Sequence, residues 1–161
     1  MGQFIWGAAM DRKWILLGLI FILLGSVSAA DLENHDFDDY FSMDVPKGAN
    51  FTNETISFAE NGTDNVIVDY EGDKLEITYA DAPLLFKNSS SDYYEVMFDL
   101  LYPGYVLNST GSEGNLTVFE AFDEFGETIP VAGTASGNRM IIIIADDLNL
   151  VKQMGESINL K

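Results

Sequence analysis

The chain of 161 residues has 26 acidic and 8 basic side chains, so its formal net charge is −18. This charge argues against nucleic acid and anionic lipid as partners, because binding to either needs clustered lysine or arginine. Cysteine is absent from the sequence, which excludes disulfides, thiolate metal sites and cysteine nucleophiles. The sequence has no cofactor motif, and we expect no cofactor.

The first 30 residues have the three parts of a secretory signal peptide. A basic pair precedes an apolar run at 14–25, and small residues follow at 26–30. We predict export, with cleavage just before Ala30 or Asp31. The alternative is a retained membrane anchor over residues 14–30, since that length approaches the lower limit for crossing a bilayer.

Residues 31–39 are rich in Asp and Glu, and we interpret them as a flexible acidic lead-in to a single folded domain at 40–161. The only histidine of the sequence, His35, lies in this segment, so no histidine pair can hold zinc and no Ser-His-Asp triad can form elsewhere. We expect His35 to be a solvated side chain rather than a catalytic base.

The folded domain is predicted to begin with strands. Alternating apolar residues predict a strand at 41–45, and a short strand is expected at 56–59. Two further alternating segments, at 66–70 and 75–79, are separated by turn residues and predict a β-hairpin.

A helix is predicted after the hairpin. Asp92 and Glu95 have the spacing of a capping box, and apolar residues then recur at helical spacing as far as Leu101. Pro103 ends the pattern, as expected at the end of a helix.

Strands return in the second half of the domain, at 105–108, 116–122 and 129–133. The run at 139–145 is apolar after its first residue, which predicts a central strand covered on both faces. Asp146 or Asp147 is expected to cap a final helix. The residues of this helix predicted to face inward are Leu148, Val151, Met154 and Ile158.

The order of these elements is strands, helix, strands, helix, with hairpins dominant. It predicts an α+β domain in which two helices pack on a mainly antiparallel β-sheet. We find no internal repeat and no second domain.

Six Asn-x-Ser/Thr sequons occur where about one is expected by chance, given 11 Asn and 19 Ser plus Thr residues. Beside a signal peptide, this excess predicts N-glycosylation. The alternative is that Asn, Ser and Thr are simply favoured in turns. The candidate asparagines are Asn50, Asn53, Asn61, Asn88, Asn108 and Asn115.

The two ends of the domain resemble PsbP-like domains. Residues 41–48, a strand followed by Pro-x-Gly, resemble the opening of that family, and residues 139–161 look like its closing strand and helix. The chain is also similar to small exported proteins of methanogenic archaea. The resemblance covers residues 40–161 and implies an αβα sandwich with an accessory or binding role. No functional residue follows from it.

Two acidic segments and a group of tyrosines can each be interpreted as structural or as functional. Neither acidic run has EF-hand spacing, so we interpret both as solvated segments rather than calcium sites. A carboxylate pair for glycoside hydrolysis stays open, because its spacing exists only in three dimensions. The tyrosines are expected to pack in the core and at its rim, with a binding surface as the alternative for Tyr94. The residues concerned are Glu33, Asp36, Asp38 and Asp39, then Asp123, Glu124 and Glu127, and Tyr93, Tyr94, Tyr102 and Tyr105.

We therefore predict a non-enzymatic exported domain, secreted or at the cell surface, that binds an unidentified protein or surface polymer. One alternative is a carboxylate-dependent hydrolase acting on cell-surface polysaccharide, and another is a structural component of the cell envelope. Two buried carboxylates in a cleft would favour the hydrolase. An exposed apolar or aromatic patch would favour the binding domain.

Overall fold

The structure is a computed structural model, and it describes residues 31–86, 94, 102–122 and 125–161. Within these residues, ten strands and two helices follow one another along the chain. They are β1 (Leu32–Phe37), β2 (Phe41–Pro46), β3 (Thr52–Glu60), β4 (Thr63–Gly72), β5 (Leu75–Asp81), α1 (Pro83–Phe86), β6 (Val106–Glu113), β7 (Leu116–Phe122), β8 (Thr128–Ser136), β9 (Arg139–Ala145), α2 (Leu148–Glu156) and β10 (Asn159–Leu160).

Seven of the strands form one antiparallel sheet in the order β3-β4-β5-β9-β8-β7-β6. Two local meanders, β3–β5 and β6–β9, make up this sheet. They meet where β5 pairs with β9, from Leu75 opposite Ala145 to Asp81 opposite Arg139. This pairing is the long-range connection that turns two hairpin arrays into one sheet.

The apolar run at 139–145 is confirmed as the central strand, β9. Its residues Met140, Ile141, Ile142 and Ile143 are each at most 1% exposed, although neighbouring side chains of a strand point to opposite faces. Both faces of the sheet are therefore covered at this strand. The predicted hairpin is confirmed as well, as β4 and β5.

A small sheet in the order β1-β2-β10 and helix α2 pack on one face of the large sheet, which we call the α2 face. Aromatic rings join the two layers. The ring centroid of Phe37 lies 4.9 Å from that of Tyr70, and those of Tyr40 and Tyr79 lie 4.6 Å apart. The small sheet is thus part of the hydrophobic core.

The expectation of a flexible lead-in at 31–39 is wrong, because this segment forms β1 and the turn into β2. Buried Phe37 stacks on Phe41 at 4.6 Å. The other end of the chain also contacts this sheet, where Lys161 Nζ lies 3.0 Å from Asp36 Oδ1. The sequence pattern missed β1 because four of its six side chains are polar and only Phe37 is buried.

Apolar side chains are buried on the opposite face of the large sheet as well. Ile67, Phe119 and Ile142 are at most 4% exposed. This is the tyrosine face, since the side chains packed on it include Tyr94, Tyr102 and Tyr105. At its edge, fully buried Asn65 accepts a 3.0 Å hydrogen bond from the Leu84 amide at the start of α1.

The prediction of two helices on the sheet is met only in part. Within the described residues, α2 is the one helix longer than four residues, and Asp147 Oδ1 caps it by accepting from the Leu150 amide at 2.8 Å. Val151 and Met154 are buried as predicted, whereas Leu148 is 40% exposed at the first turn. The other predicted helix, 92–101, falls outside the described residues apart from Tyr94.

Candidate functional site

Strand β3 is an exposed edge of the large sheet. β4 pairs with one side of its backbone, and the other side has no strand partner within the described residues. The pairing runs unbroken from Thr52 opposite Glu71 to Glu60 opposite Thr63. Every residue of β3 is exposed. A regular edge of nine residues is therefore available for pairing.

Two apolar side chains lie at the centre of this edge. Ile56 is 52% exposed and Phe58 is 40% exposed. They are two residues apart, so their side chains point to the same face of the strand. Ile56 lies opposite Ile67, which is buried on the tyrosine face. The pair thus extends the apolar surface of that face to an open edge.

Acidic side chains flank the apolar pair. Glu54 and Glu60 share the face of Ile56 and Phe58, because all four residues follow one another at intervals of two. Glu54 also lies opposite Asp69 of β4. The edge therefore presents an apolar centre with a carboxylate at each end.

The other edge of the sheet, β6, is less suited to pairing. Its register shifts between Ser109 and Gly111, which marks a bulge or irregularity. Bulges disrupt the regular hydrogen-bond ladder and are one way in which proteins protect edges. β3 has no such shift, so the two edges differ in their capacity to accept a strand.

A pair of carboxyl groups lies on the tyrosine face, one strand in from β3. Asp69 of β4 and Glu76 of β5 are both partly buried and close enough to interact electrostatically. Thr78 Oγ1 donates to Asp69 Oδ1 at 3.1 Å, and the Tyr102 hydroxyl donates to Glu76 Oε1. These four side chains form one polar cluster.

Burial raises the pKa of both carboxyls above their ordinary values. Hydrogen bonds from Thr78 to Asp69 and from Tyr102 to Glu76 partly offset this rise. Burial and the contact with Glu76 also raise the pKa of Tyr102. Both carboxyl groups therefore lose their protons at a higher pH than solvated carboxyl groups do.

A depression of about 290 Å³ borders Glu76. Lys74, Ile129 and Ile144 also line it, whereas Asp69 is not among its described lining residues. Glu71 and Asp146 also line this depression, but both are exposed, so it does not hold the two buried carboxylates that would favour a glycosidase.

The sequon asparagines lie where a glycan has access to water. The five described ones are all exposed, and Asn88 falls outside the described residues. They lie on or next to the two edge strands of the large sheet. By contrast, the buried Asn65 is not part of a sequon. The exposed set is Asn50, Asn53, Asn61, Asn108 and Asn115.

His35 does not lie in a solvated tail. It is a partly buried residue of β1, and its ring centroid lies 4.7 Å from that of Phe37 and 5.4 Å from that of Phe51. A ring held between two apolar rings explains its position as packing at the rim of the core.

The acidic segments do not converge on a metal site within the described residues, where no group of three or more candidate ligands is found. Glu33 accepts a 2.8 Å hydrogen bond from the Gly48 amide, and Asp38 accepts one of 2.8 Å from the Tyr70 hydroxyl. Asp123 and Glu124 fall outside the described residues.

The tyrosines pack as expected where they are described. The Tyr94 ring lies 5.0 Å from that of Phe119 and covers Gly133, where an added Cβ would come within 2.4 Å of the ring. Tyr102 and Tyr105 pack on the same core, and Tyr93 falls outside the described residues. Tyr94 therefore contributes to packing on the tyrosine face.

Sequence reasoning missed both the extent of β3 and the carboxyl pair. β3 has no alternation of buried and exposed residues, so only 56–59 was predicted as strand. The carboxyl pair did leave a signal. Glu76 and Thr78 alternate with Leu75, Ile77 and Tyr79, so the alternation places both polar residues on the second face of the predicted strand.

Comparisons of the chain with protein-family models, curated proteins and solved structures found no match. The functional assignment therefore rests on the geometry of the chain's own residues. Within the described part of the chain, neither helix has the length and apolar character needed to cross a membrane.

Proposed function

We propose that this protein is an exported, N-glycosylated domain that binds a partner by accepting an extended segment along β3. The observation that supports this proposal is the regular, fully exposed edge of nine residues with Ile56 and Phe58 at its centre. Addition of a strand to such an edge gives affinity through backbone hydrogen bonds and specificity through alternate side chains.

The side chains of β3 define the chemistry of the partner. Apolar residues of an added strand would lie opposite Ile56 and Phe58, and basic residues would lie opposite Glu54 and Glu60. The partner segment is therefore basic-x-apolar-x-apolar-x-basic, where x is any residue that favours strands. The chain's net charge of −18 adds long-range attraction for such a segment.

A second copy of the chain is a poorer occupant of this edge. An antiparallel pair of β3 strands centred on Ser57 would place Ile56 opposite Phe58 of the copy, but it would also place Glu54 opposite Glu60. Like charges directly opposite each other destabilise a strand pair, and each copy has a net charge of −18. The acidic flanks thus favour a basic partner over self-association.

We extend the proposal to the layers of the fold, which we infer to be the αβα sandwich of PsbP-like domains. Its support is that α2 packs on one face of the large sheet. The other face is covered in part by Tyr94, Tyr102 and Tyr105, which come from the segment between α1 and β6. The resemblance of the chain to PsbP-like domains implies an accessory or binding role. Such a role agrees with an edge that accepts a strand.

A synthetic peptide tests the binding proposal directly. Lys-Thr-Val-Thr-Val-Thr-Lys, blocked at both ends, is titrated into isotopically labelled protein while amide resonances are followed by NMR. We expect saturable shifts confined to β3 and its neighbours, and weaker binding at high salt, because salt screens the contacts with Glu54 and Glu60. A peptide of the same composition with both lysines at one end should bind more weakly.

Matched variants locate the site. Replacing Ile56 and Phe58 by lysine should abolish the shifts without unfolding the protein, since both side chains are exposed. Val106→Lys on the opposite edge, where the side chain is 68% exposed, is the control and should bind as the wild type does. Equal binding by the double variant and the wild type would refute the role of β3.

Export and glycosylation are tested on protein recovered from the cells that produce it. Mass spectrometry of its peptides gives the mature N-terminus and the mass on each sequon asparagine. We expect a start at Ala30 or Asp31 and glycan on the exposed sequons, including Asn53, whose side chain points to the face of β3 opposite to Ile56 and Phe58 and so leaves those two side chains accessible. Peptides that run unbroken through residues 28–31 in most of the protein would refute cleavage.

A further inference from the structure

We infer that the groove beside Asn115 binds the N-glycan attached to Asn115 itself. This inference rests on the proposed glycosylation. The groove has a volume of about 710 Å³, within the roughly 300–1,000 Å³ of small-molecule sites. Asn115, in the turn between β6 and β7, lies in its wall. The residue that would carry the sugar therefore borders the groove.

The walls of the groove come from four separate elements. The start of β7, the end of β8, the C-terminal end of α2 and strand β10 all contribute residues. Elements of regular structure hold a site more rigidly than one loop does. The shape of the groove is thus set by the fold and does not depend on a ligand.

The chemistry of the walls suits a pyranose, which has an apolar C–H face and a hydroxyl edge. Ile158 and Leu160 are partly buried apolar residues that can pack against a sugar face. Ser136, Glu156 and Asn159 are exposed polar residues of the same groove that can exchange hydrogen bonds with hydroxyl or acetamido groups. A hexose or N-acetylhexosamine linked to Asn115 meets both requirements.

A close contact at the groove explains a glycine in α2. A Cβ built on Gly155 would come within 2.4 Å of Leu116 Cδ1, so the helix approaches β7 without a side chain between them. Leu116 is 4% exposed and directly follows Asn115. The sequon is therefore anchored to the core at the position where its sugar begins.

The other edge sequon on this side of the sheet provides a comparison. Asn108 is exposed on β6 and is not among the residues that line the groove. A glycan on Asn108 is expected to extend into solvent. A glycan on Asn115 is expected to be ordered and to stabilise the fold.

The experiment uses protein secreted from a glycosylating host, with occupancy of each sequon measured by mass spectrometry. Thermal unfolding of the wild type is compared with that of Asn115→Gln, Thr117→Val and Asn108→Gln. We expect each of the first two variants, which lack the glycan on Asn115, to melt about 2 to 4 °C lower. Asn108→Gln should melt within about 1 °C of the wild type.

The same variants made without glycan, from a chain that begins at Asp31 and is produced in bacterial cytoplasm, show any effect of the substitutions alone. In that background we expect Asn115→Gln to match the wild type. In the glycosylated protein, methyl resonances of Ile158 and Leu160 should shift when an endoglycosidase and an amidase remove the sugars. Both effects together support the inference.

Two results would overturn it. Occupied Asn115 whose removal leaves both the melting temperature and the methyl shifts unchanged would show that its glycan lies in solvent. If Asn115 carried no glycan while Asn50, Asn53 or Asn108 did, the groove could not be a glycan-binding site, but the proposed glycosylation would stand. Absence of glycan from every sequon would refute both the groove inference and the proposed glycosylation. The proposal that β3 binds a partner would be unaffected, because the peptide titration tests it separately.

Discussion

Tyr70 links the two sheets through a single hydroxyl group. Its ring is 4% exposed, and its hydroxyl donates a 2.8 Å hydrogen bond to Asp38 Oδ2 in the turn between β1 and β2. Asp38 has φ of 50°, in the left-handed region that few residues other than glycine, asparagine and aspartate adopt readily. The hydrogen bond thus helps to hold an unfavourable backbone conformation at the corner of the small sheet.

Tyr70→Phe tests the energetic value of this hydrogen bond. We expect a loss of about 1 kcal/mol in the free energy of unfolding, because Asp38 is exposed and water can replace the lost donor. Urea denaturation monitored by circular dichroism measures the change.

The control is Tyr79→Phe. Tyr79 is 3% exposed and stacks on Tyr40, but its hydroxyl has no hydrogen-bond partner among the described residues. It should change stability by less than Tyr70→Phe does. Equal losses in the two variants would mean that the contact with Asp38 contributes nothing specific.

Residue-scale features were predictable from sequence only where a local pattern fixes them. The helix cap was narrowed to Asp146 or Asp147 because the first amides of a helix need an acceptor, and Asp147 is the one that accepts from Leu150. The exposure of the sequon asparagines also agrees with their turn-forming neighbours. The Tyr70–Asp38 bond joins residues 32 positions apart, and no local pattern encodes such a contact.

At the scale of elements, the carboxyl pair on β4 and β5 makes stability depend on pH. Both pKa values are raised in the folded protein, so the folded state binds more protons than the unfolded state. Stability from this pair is therefore full at low pH and is lost as pH rises above the ordinary pKa of Glu, about 4.3.

Glu76→Gln should remove most of this dependence. Glutamine is neutral at every pH, its oxygen can still accept from Tyr102, and its amide can still donate to Asp69. We expect the variant to match the wild type near pH 4 and to become progressively more stable than it as pH rises to 7. Urea denaturation at four pH values measures the difference.

Glu120→Gln controls for the loss of one negative charge, since Glu120 is an exposed carboxyl on β7. Its stability should follow the wild-type pH profile apart from a small constant offset. If Glu76→Gln and the wild type had parallel pH profiles, the raised pKa of Glu76 would have no effect on stability.

Elements buried on both faces were the easiest to predict from sequence. β9 has four consecutive isoleucines, because both faces of the sheet are covered at this strand. β1 and β3 were missed or shortened, since strands with exposed faces have no apolar constraint. β3, the candidate binding edge, is one of these exposed strands. Its proposed function depends on its exposure, and the same exposure removes the apolar pattern by which a strand is predicted from sequence.

At the scale of the whole molecule, charge works against the fold. The net charge is −18, and the described ion pairs are all at the surface, as between Lys47 and Asp31 at 3.6 Å. Surface ion pairs typically contribute about 0 to 1 kcal/mol each. Repulsion among the remaining carboxylates therefore exceeds the attraction that these pairs provide.

Salt should stabilise the protein for this reason. Raising sodium chloride from about 0.02 to 0.5 M shortens the screening length well below 10 Å and should raise the melting temperature by several degrees at pH 7. The increase should shrink at pH 4, where many carboxylates are protonated. A melting temperature that falls with salt at pH 7 would show that attractive pairs dominate instead.

The joining of two meanders at β5 and β9 has a consequence for the order in which the sheet can form during synthesis. Each meander needs only its own neighbours, but the edge of β5 stays open until β9 emerges, roughly 60 residues later. At about 5 to 20 residues per second, that interval lasts roughly 3 to 12 seconds. During this interval the edge of β5, at Ile77 and Tyr79, is exposed in the nascent chain without its partner strand. The length of the connection between β5 and β9 therefore sets the time in which aggregation competes with folding.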